Sequence, residues 1–441
     1  MERTVRYVDS GGLQIAYQVL GDGPLDVVMG FESGSNLDVV AEHPRVAGSL
    51  RRFAEFSRLI MFDMRGAGLS DPIDHLPTLE EWADDVRAIM AAVESERAVL
   101  VGHGAAAQLC LLFAATHPEL VTAVVTINGF ARLRRAEDYP WGYPLKTEAS
   151  ILTFVEDNWG TGRVLGSFNP GMAEGPRALD WLARLERSAN GPRRAVRRQE
   201  WVFSIDVRDV LPSIVAPTLV IQNRDDQYAL AGHGRFLAER ITGAEWCDLP
   251  GADHSPFASA QADVLIDAIE EFITGATPAP STTRSLMTVG FTDIVDSTSL
   301  ATDMGDRRWR GLLETHEAVA RREVEAARGR LIKFTGDGLM ATFDGPARAV
   351  HCMRALGELL EPLGLPIRAG VHTGEVEQIG DDIGGLAVHI AARISALAGS
   401  GEILASSTVR DLVAGSGLEF DDRGEHELKG VPGTWRVLAV R

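Results

Sequence analysis

Two stretches of this sequence, Phe291-Thr-Asp-Ile-Val-Asp-Ser-Thr298 and Lys333-Phe-Thr-Gly-Asp-Gly338, decide how its second half folds. In each of them an aspartate, Asp293 or Asp337, follows a short run of apolar, strand-type residues at the point where the run breaks. Taken alone, each aspartate is typical of a turn or a helix cap. Together they can stand at one rim of a sheet, where two carboxylates hold divalent metal against a triphosphate, and the pair predicts nucleotide chemistry.

Short strands and helices surround these two stretches. The apolar runs predict strands at 286–291, 331–334, 339–343, 367–372, 402–405 and 435–440, and helices at 309–324, from 346 onwards and at 388–397. The second and third strands flank the turn Thr335-Gly-Asp-Gly338 and are expected to form a hairpin. Asp344 is expected to cap the helix that starts at Pro346. Residues 286–441 are therefore predicted to form an α+β domain with one helical layer.

The first part of the chain has a different pattern. Apolar runs predict strands at 26–29, 58–62, 98–101, 123–127, 218–222 and 245–249, with helices such as 78–93 between several of them. This alternation indicates a mostly parallel sheet covered by helices on both faces. At about 131–212 the strand signal gives way to a segment that contains four tryptophans, Trp141, Trp159, Trp181 and Trp201. We predict a helical cap there and expect the tryptophans to form its core rather than to line a ligand pocket.

A segment rich in small residues and proline separates the two patterns. It reads Thr274-Gly-Ala-Thr-Pro-Ala-Pro-Ser-Thr-Thr-Arg284 and has no hydrophobic periodicity. A chain of 441 residues is too long for one ordinary core. We therefore predict one domain at 1–273, a linker at 274–285 and a second domain at 286–441.

The composition excludes several classes of partner. With 62 acidic and 43 basic residues the formal net charge is −19, so neither a nucleic acid nor an anionic membrane surface is expected as a partner. There is no apolar run long enough for membrane insertion, and the first residues do not resemble a signal peptide. The three cysteines have no Cys-x-x-Cys spacing. These features predict a cytoplasmic protein with reduced thiols.

Residues 286–441 resemble a class III nucleotidyl cyclase catalytic domain over essentially their whole length. The resemblance implies that Asp293, the main-chain carbonyl of Ile294 and Asp337 hold two Mg²⁺ or Mn²⁺ ions. It also implies that the backbone amides from Ile294 to Thr298, at the start of a helix, bind the terminal phosphates.

The resemblance also assigns the groups that select the base. Lys333 matches the purine-selecting lysine of the family, and Asp382, in the segment 380–385, matches its purine-selecting aspartate. Adenine presents an amino donor and a ring-nitrogen acceptor, which an Asp acceptor and a Lys donor complement, whereas guanine reverses both features. ATP is therefore the expected substrate.

Three further residues complete the implied site. Arg393 matches the arginine that meets charge developing on the α-phosphate as the ribose 3′-oxygen attacks, and Lys429 matches the lysine that contacts the outgoing phosphates. The chain departs from the family at His389, where most members have an asparagine that orients the ribose. A histidine can still donate a hydrogen bond, but we expect the change to alter the rate or its pH dependence.

Each of these roles occurs once in the chain. In the family, the metal aspartates and the purine-binding pair of one site come from opposite subunits. The resemblance therefore implies a homodimer with two composite active sites related by two-fold symmetry.

Residues 1–273 resemble an α/β-hydrolase, with Asp226 at the position of the catalytic acid and His254 at that of the histidine. The nucleophile elbow of that family reads Gly-x-Ser-x-Gly, whereas this chain reads Gly102-His-Gly-Ala-Ala106, so that Gly104 stands at the serine position. Acyl transfer by the usual triad is not expected, because histidine and acid activate a nucleophile and cannot replace one. His103, which precedes the nucleophile position, is expected to point away from the pocket.

Two roles for this first domain stay open. It could bind a small apolar or ester-like ligand and regulate the cyclase, or it could only assist folding or dimerisation. For the whole chain, one alternative to an adenylate cyclase is a hydrolase whose second domain only binds nucleotide, and another is a nonenzymatic sensor in which both domains are relics. Gly104 disfavours the first, and the intact set of cyclase residues disfavours the second. A third alternative is a ligand sensor of the α/β-hydrolase type, serine-independent or inactive, with a nucleotide-binding, weakly active cyclase domain.

Overall fold

The computed structural model describes residues 4–31, 35–173, 176–275, 284–379 and 382–441. Contacts divide the chain into two units, Met1–Ser281 and Thr282–Arg441. The predicted linker at 274–285 lies largely outside the described residues, which omit 276–283. No helix within the described ranges is long and apolar enough to span a membrane.

The described part of the first unit contains a sheet of eight strands. In chain order they are β1 (Arg6–Ser10), β2 (Leu13–Leu20), β3 (Asp26–Gly30), β4 (Arg58–Phe62), β5 (Ala98–His103), β6 (Val121–Ile127), β7 (Thr218–Asn223) and β8 (Glu245–Leu249). Their order across the sheet is β1-β2-β4-β3-β5-β6-β7-β8. All neighbours from β4 to β8 are parallel, whereas β1 and β2 pair antiparallel at one edge. The prediction of a mostly parallel sheet is confirmed.

Helices cover this sheet and form the segment between β6 and β7. They are α1 (Leu37–Val40), α2 (Pro44–Phe56), α3 (Leu79–Ala92), α4 (Ala106–Thr116), α5 (Leu145–Asn158), α6 (Arg163–Phe168), α7 (Pro176–Ala189), α8 (Pro192–Ser204), α9 (Ala231–Arg240) and α10 (Ala262–Gly275). The start of α3 is fixed by a capping box, in which the Thr78 hydroxyl accepts from the Glu81 amide and the Glu81 carboxylate accepts from the Thr78 amide. The predicted cap segment thus contains the four helices α5 to α8.

The second unit is built on another mixed sheet. Its described strands are β9 (Arg284–Ile294), β10 (Arg330–Phe334), β11 (Gly338–Phe343), β12 (Ile367–Ile379), β13 (Asp382–Gly384), β14 (Ile403–Ser406), β15 (Phe420–Glu427) and β16 (Thr434–Val440). Their order is β10-β11-β9-β12-β14-β16-β15, with β13 paired to β12. The helices are α11 (Ser297–Met304), α12 (Asp306–Ala326), α13 (Pro346–Leu360), α14 (Leu386–Leu397) and α15 (Ser407–Leu412).

Helices lie on both faces of this second sheet, so the prediction of one helical layer is wrong. On one face, Leu339 and Ala341 of β11 pack in a core shared with α12 and α13. On the other face, the intervening Met340 packs with Ala387 and Ala391 of α14. Small residues permit this second layer: a Cβ on Gly370 of β12 would come within 2.1 Å of the Ser395 backbone nitrogen. The sheet is therefore a two-sided layer, and α14 lies close against it.

The start of α13 also differs from the expectation. Its N-cap is Gly345, and no side chain caps it. The carboxylate of Asp344 instead accepts a hydrogen bond at 2.9 Å from Arg348, which lies four residues further on. The Asp344 carboxylate therefore pairs with the Arg348 guanidinium, one helical turn away, and not with the backbone amides of the helix.

Candidate active site

The two aspartates of the metal motif meet at one rim of the second sheet. Strands β9 and β11 are antiparallel neighbours, and their register places Gly338 directly opposite Asp293. The Ile294 amide donates a hydrogen bond of 3.2 Å to the main-chain oxygen of Asp337. Because β9 ends and β11 begins at this rim, the residues Asp293 and Asp337 stand next to each other, as the strand breaks in the sequence predict.

Each of these carboxylates has a side-chain partner. The Asp337 carboxylate accepts a hydrogen bond from the hydroxyl of Ser297. The Asp293 carboxylate accepts two from the guanidinium of Arg368, one of them at 2.9 Å from Nε. Arg368 is the β12 residue opposite Asp293 in the sheet register. The side chain of Asp293 remains about one-third exposed, so solvent or a ligand can reach it.

The segment that follows β9 is shaped for a helix start. Asp296 has a left-handed backbone with φ 55°, and α11 begins at the next residue, Ser297. Thr298 lies in the first turn of this helix and is exposed. The backbone amides of a first helical turn have no acceptor inside the helix, and they favour an anion such as a phosphate group.

The donor set at this rim fits a hard divalent cation. Asp293 and Asp337 supply carboxylate oxygens, and Mg²⁺ and Mn²⁺ prefer oxygen ligands. Within the described ranges, no group of three or more His, Cys, Asp or Glu side chains is placed to hold a metal ion. Two carboxylates and a main-chain carbonyl leave coordination positions for phosphate oxygens, which is typical of metal bound together with a nucleotide.

The two residues expected to select the purine are paired within one chain. Lys333 of β10 donates a hydrogen bond of 2.5 Å to the carboxylate of Asp382 at the start of β13. The other carboxylate oxygen accepts from the amide of Ile383 at 2.8 Å. The hydrogen bond from Lys333 is the largest contribution that lowers the pKa of Asp382, and the Ile383 amide adds to it. Both side chains are about half exposed, so the pair faces solvent.

Helix α14 presents the remaining predicted residues on one exposed face. His389 and Arg393 are four residues apart and are both exposed. Leu386 and Leu397 lie on the same face by helical geometry and expose 47% and 44% of their surface. The Arg393 guanidinium donates a hydrogen bond of 3.0 Å to the main-chain oxygen of Lys429, so the two residues are in contact.

The predicted residues therefore form three local groups in a single chain. These are the metal aspartates with Ser297 and Arg368, the purine pair, and the cations of α14 with Lys429. Within the part of the chain that the structure describes, no hydrogen bond or ion pair joins one group to another. The sequence analysis assigns no role to Ser297 or Arg368. Arg368 is a charged residue in an otherwise apolar strand that begins at Ile367, and this pattern could have marked it as a site residue.

In the first unit, the residues predicted to be the acid and the histidine of a hydrolase site contact each other. His254 Nδ1 lies 2.7 Å from Asp226 Oδ2, and both residues are buried. The other oxygen of Asp226 accepts from the amides of Tyr228 and Ala229 at 2.8 and 3.1 Å. Gly104 follows β5 with φ 58°, in the left-handed region, and α4 begins two residues later. The turn thus has the sharp strand-to-helix form of a nucleophile elbow, without the nucleophile.

A cavity with about 910 Å³ of empty volume lies beside this dyad. Most of its wall is apolar, and its polar residues are His103, Asn169, Gln199, Tyr228, His254 and Ser255. Trp159 and Trp181 also line it, so the expectation that the cap tryptophans avoid the pocket is wrong for these two. Trp181 also connects the cap to helix α1, because its Nε1 donates a hydrogen bond of 3.1 Å to the Val39 carbonyl.

His103 also lies in the wall of this cavity, and the expectation that it points away is wrong. Its Nε2 lies 2.8 Å from the main-chain oxygen of His254, and the two imidazole rings are 4.8 Å apart. The carbonyl of His254 thus draws the ring toward the dyad. His103 is 5% exposed and buttresses the backbone of His254.

The two units correspond to two known families. Residues 53–260 match the family model of the alpha/beta hydrolase fold, and residues 280–439 match that of the adenylate and guanylate cyclase catalytic domain. The chain thus joins an α/β-hydrolase-fold domain to a class III nucleotidyl cyclase catalytic domain. In this chain Gly104 stands where the sequence predicts the serine nucleophile of such a domain.

Curated relatives and solved structures resemble one domain or the other. Putative adenylate cyclase 3 of Rhizobium meliloti (strain 1021) is 32% identical over 133 residues, which are 28% of this chain and 22% of that protein. Karrikin insensitive 2 receptor CA of Petunia hybrida is 24% identical over 264 residues, which are 57% of this chain and 93% of that protein. The esterase EaEST from Exiguobacterium antarcticum has a TM-score of 0.54 and 18% identity, and the match covers 62% of this chain and 100% of that one. This last likeness shows the fold alone.

Proposed function

We propose that the chain is an adenylate cyclase that converts ATP to 3′,5′-cyclic AMP and pyrophosphate. The observation that carries the proposal is the juxtaposition of Asp293 and Asp337 at the ends of two paired strands. Two carboxylates at one sheet rim, beside a helix start, supply the ligands that a metal-bound triphosphate requires. The cyclase domain of this chain supports a cyclase reaction, and the residues below support its adenine form.

Each residue group has a distinct task in this reaction. Asp293, Asp337 and the main-chain carbonyl of Ile294 would hold two Mg²⁺ or Mn²⁺ ions, which stabilise charge on the triphosphate and activate the ribose 3′-oxygen. The amides up to Thr298 would hold the terminal phosphates. Arg393 would meet the charge that grows on the α-phosphate, and Lys429 would meet the departing pyrophosphate.

The Lys333–Asp382 pair supports ATP as the substrate. Lys333 donates to Asp382 in the structure, so the two side chains already stand within one hydrogen bond of each other. A carboxylate that can accept from the exocyclic amine and an ammonium that can donate to a ring nitrogen complement adenine. His389 would orient the ribose in place of an asparagine.

The exposed face of α14 supports a homodimer with composite sites. Leu386 and Leu397 expose large apolar side chains on either side of His389 and Arg393. Such a face is stabilised when a partner covers it. The three residue groups would then be completed across the two-fold axis, with the metal aspartates of one subunit facing the purine pair and α14 of the other.

One incubation tests the proposed reaction. The purified full chain is supplied with Mn²⁺ and either ATP or GTP, and the cyclic product is identified. We expect cyclic AMP from the wild type and from Asp303→Ala, an exposed aspartate of α11, and no product from Asp337→Ala. Preferential formation of cyclic GMP would contradict the substrate, and absence of both products from a verified dimer would contradict the cyclase proposal.

We propose a second function for the first domain, as a ligand-binding regulator of the cyclase. The observation that favours it is the largely apolar cavity beside the Asp226–His254 dyad. A small apolar or ester-like molecule could accept from or donate to the dyad at one end and pack against the aromatic wall at the other. Gly104 offers no nucleophile, so such a ligand would be held rather than cleaved.

Removal of residues 1–280 tests regulation by this domain. We expect the truncated chain to make cyclic AMP at a rate that differs from that of the full chain and no longer responds to cavity ligands. Equal rates and equal responses would assign the first domain a role in folding or dimerisation only.

A further inference from the structure

A second cavity of the first unit has a wall of positively charged and hydrogen-bond-donating groups. It lies between the loop after β4 and helix α8, with about 570 Å³ of empty volume. Its wall includes Arg65, Arg194, Arg197, Arg198, Asn190 and Trp201. The formal net charge of the chain is −19, so a cavity wall with four guanidinium groups differs in the sign of its charged side chains from the chain as a whole.

Two buried donors in this wall have no hydrogen-bond partner. The indole Nε1 of Trp201 and the side-chain Nδ2 of Asn190 are both inaccessible to solvent and unpaired. Trp201 is 2% exposed and Asn190 is 8% exposed. An indole nitrogen can only donate, as can an amide nitrogen, so each of these two groups lacks an acceptor. Buried polar groups of native proteins are nearly always paired, which makes two orphans in one cavity wall informative.

The arginines of α8 reach the cavity because of their spacing. Arg194, Arg197 and Arg198 precede Trp201 by seven, four and three residues, so all four lie on one side of the helix. Arg194 donates to the carbonyls of Gly66 and Ile73 at 3.5 and 3.1 Å. These acceptors are neutral, and among the described residues no carboxylate forms an ion pair with Arg194.

Acidic groups near the cavity are engaged elsewhere or lie at its edge. Arg65 is neutralised by Asp85 at 2.6 Å and Glu81 at 3.0 Å. Glu81 also binds His75. Asp74 lines the cavity but is exposed to solvent. The excess positive charge therefore comes from Arg194 and Arg197 of α8.

We propose that this cavity binds a phosphoryl group, either as inorganic phosphate or as part of a small phosphorylated ligand. A tetrahedral oxyanion accepts hydrogen bonds from several directions and would pair at once with Trp201, Asn190 and the arginines. Guanidinium groups match the geometry of phosphate oxygens, and a buried indole donor adds an uncharged contact. The site is separate from the Asp226–His254 cavity.

A bound phosphoryl group would also stiffen one wall of the apolar cavity. Ala195 and Gln199 of the same helix line that other cavity. Gln199 donates to the Tyr228 hydroxyl at 2.9 Å, and the Tyr228 ring lies 4.7 Å from the His254 ring. Helix α8 thus stands between the two cavities, and ligands on its two sides would be linked through it.

Calorimetric titration of the full chain tests the site. Inorganic phosphate, pyrophosphate and citrate are titrated at fixed ionic strength, with divalent metal removed so that the cyclase site does not contribute. We expect phosphate or pyrophosphate to bind and to raise the melting temperature. Arg197→Gln should weaken binding by roughly tenfold or more, since hydrogen bonds to charged groups contribute that much. Arg197 is exposed, and no hydrogen bond from it is seen within the described residues, so its loss leaves the fold intact.

Matched variants separate the site from general charge attraction. Arg193→Gln removes an equal charge from the same helix at an exposed position outside the cavity wall, and we expect unchanged affinity. Trp201→Phe should weaken binding without any change of charge. Equal losses in the Arg193 and Arg197 variants would overturn the site, as would binding of citrate alone. No binding by the wild type would mean that water satisfies the two donors.

Discussion

Arg368 lies opposite Asp293 on the neighbouring strand, and its guanidinium binds the carboxylate that is expected to hold metal. The Asp293 side chain would therefore serve both the ion pair and the metal. Arg368 binds one of its oxygens, Oδ2, and leaves the other free to ligate a cation. The arginine also offsets part of the negative charge at the rim. The offset of charge should weaken metal binding, whereas the orientation of the carboxylate should support turnover.

Arg368→Gln should separate the two effects. Without the cation, we expect the free protein to bind Mn²⁺ more tightly, because the repulsion between guanidinium and metal is removed. Turnover of ATP should nevertheless fall by roughly 10²-fold, since a carboxylate without its partner loses its position. Metal titration and cyclic AMP formation measure the two quantities. Arg410→Gln, which removes a surface ion pair with Asp411, is the control and should change neither.

Lys333→Ala and Asp382→Ala should each impair the use of ATP more than that of GTP. Each variant removes one hydrogen bond to adenine, and each leaves its former partner without its contact. We expect kcat/KM for ATP to fall by roughly 10²-fold in each, with a double variant that is little worse than either single one, because neighbouring residues are not additive. Additive losses in the double variant would show that the two residues act separately.

The breaks in the sequence correctly predicted that Asp293 and Asp337 stand at one sheet rim, because an apolar run that ends at an aspartate marks the end of a strand. Periodicity also located most strands of the parallel sheet. It missed β1, a largely exposed edge strand that pairs antiparallel with β2. It also missed β2, although that strand is rich in apolar residues and largely buried. It also placed all helices of the second domain in one layer, since a period of 3.6 residues reveals an apolar stripe and not the face of the sheet that it covers.

The side-chain partners within the site could not be read from the sequence. Arg368 meets Asp293 only because β12 and β9 pair in one particular register, which a single sequence does not specify. The same holds for His103, whose orientation depends on a carbonyl more than one hundred residues away. Long-range register and backbone acceptors are tertiary features, and motif spacing is silent about both.

Leu386→Asp should disrupt the proposed dimer and abolish activity together. The side chain is 47% exposed, so aspartate is tolerated in the isolated chain but would be buried with its charge in a dimer. We expect sedimentation to show monomers and cyclic AMP formation to fall by at least roughly 10²-fold. Leu359→Asp, on α13, where the leucine is 40% exposed, is the control. A monomeric but active Leu386 variant would refute composite sites.

Acid should weaken the second domain through His372. Burial lowers the pKa of this histidine to about 3, whereas in the unfolded chain it is near 6.5. Between these values only the unfolded state binds the proton, so stability falls as pH decreases and is fully retained above about pH 6.5. The loss by pH 5 is about 2 kcal/mol. Scanning calorimetry from pH 7 to pH 5 measures it.

His372→Gln should flatten this pH dependence. The variant loses the titrating ring but keeps a side chain that can bind the Ser406 hydroxyl, which lies 2.8 Å from His372 Nδ1. His426→Gln, on β15, should show the same change of stability with pH as the wild type. An unchanged slope in the His372 variant would assign the acid sensitivity to other groups.

Gly104→Ser should raise the esterase activity of the first domain above that of the wild type. The backbone at Gly104 has φ 58°, in the left-handed region that a nucleophile elbow occupies, so a serine placed there would stand on the sharp turn between β5 and α4. Asp226 binds His254 Nδ1 and thereby fixes the ring, with Nε2 as the nitrogen that takes the serine proton. Small apolar esters that fit the adjacent cavity are the appropriate substrates.

We expect hydrolysis of p-nitrophenyl acetate or butyrate on the order of 10²-fold above the wild-type background, the lower range for a positioned general base. Adding Asp226→Asn should remove this gain, because the imidazole then loses its orientation. The melting temperature of each variant verifies folding, since serine at a positive φ is strained. A folded Gly104→Ser protein without esterase activity would mean that the dyad does not face the elbow, and the cavity would then have to be understood without any remnant of hydrolase geometry.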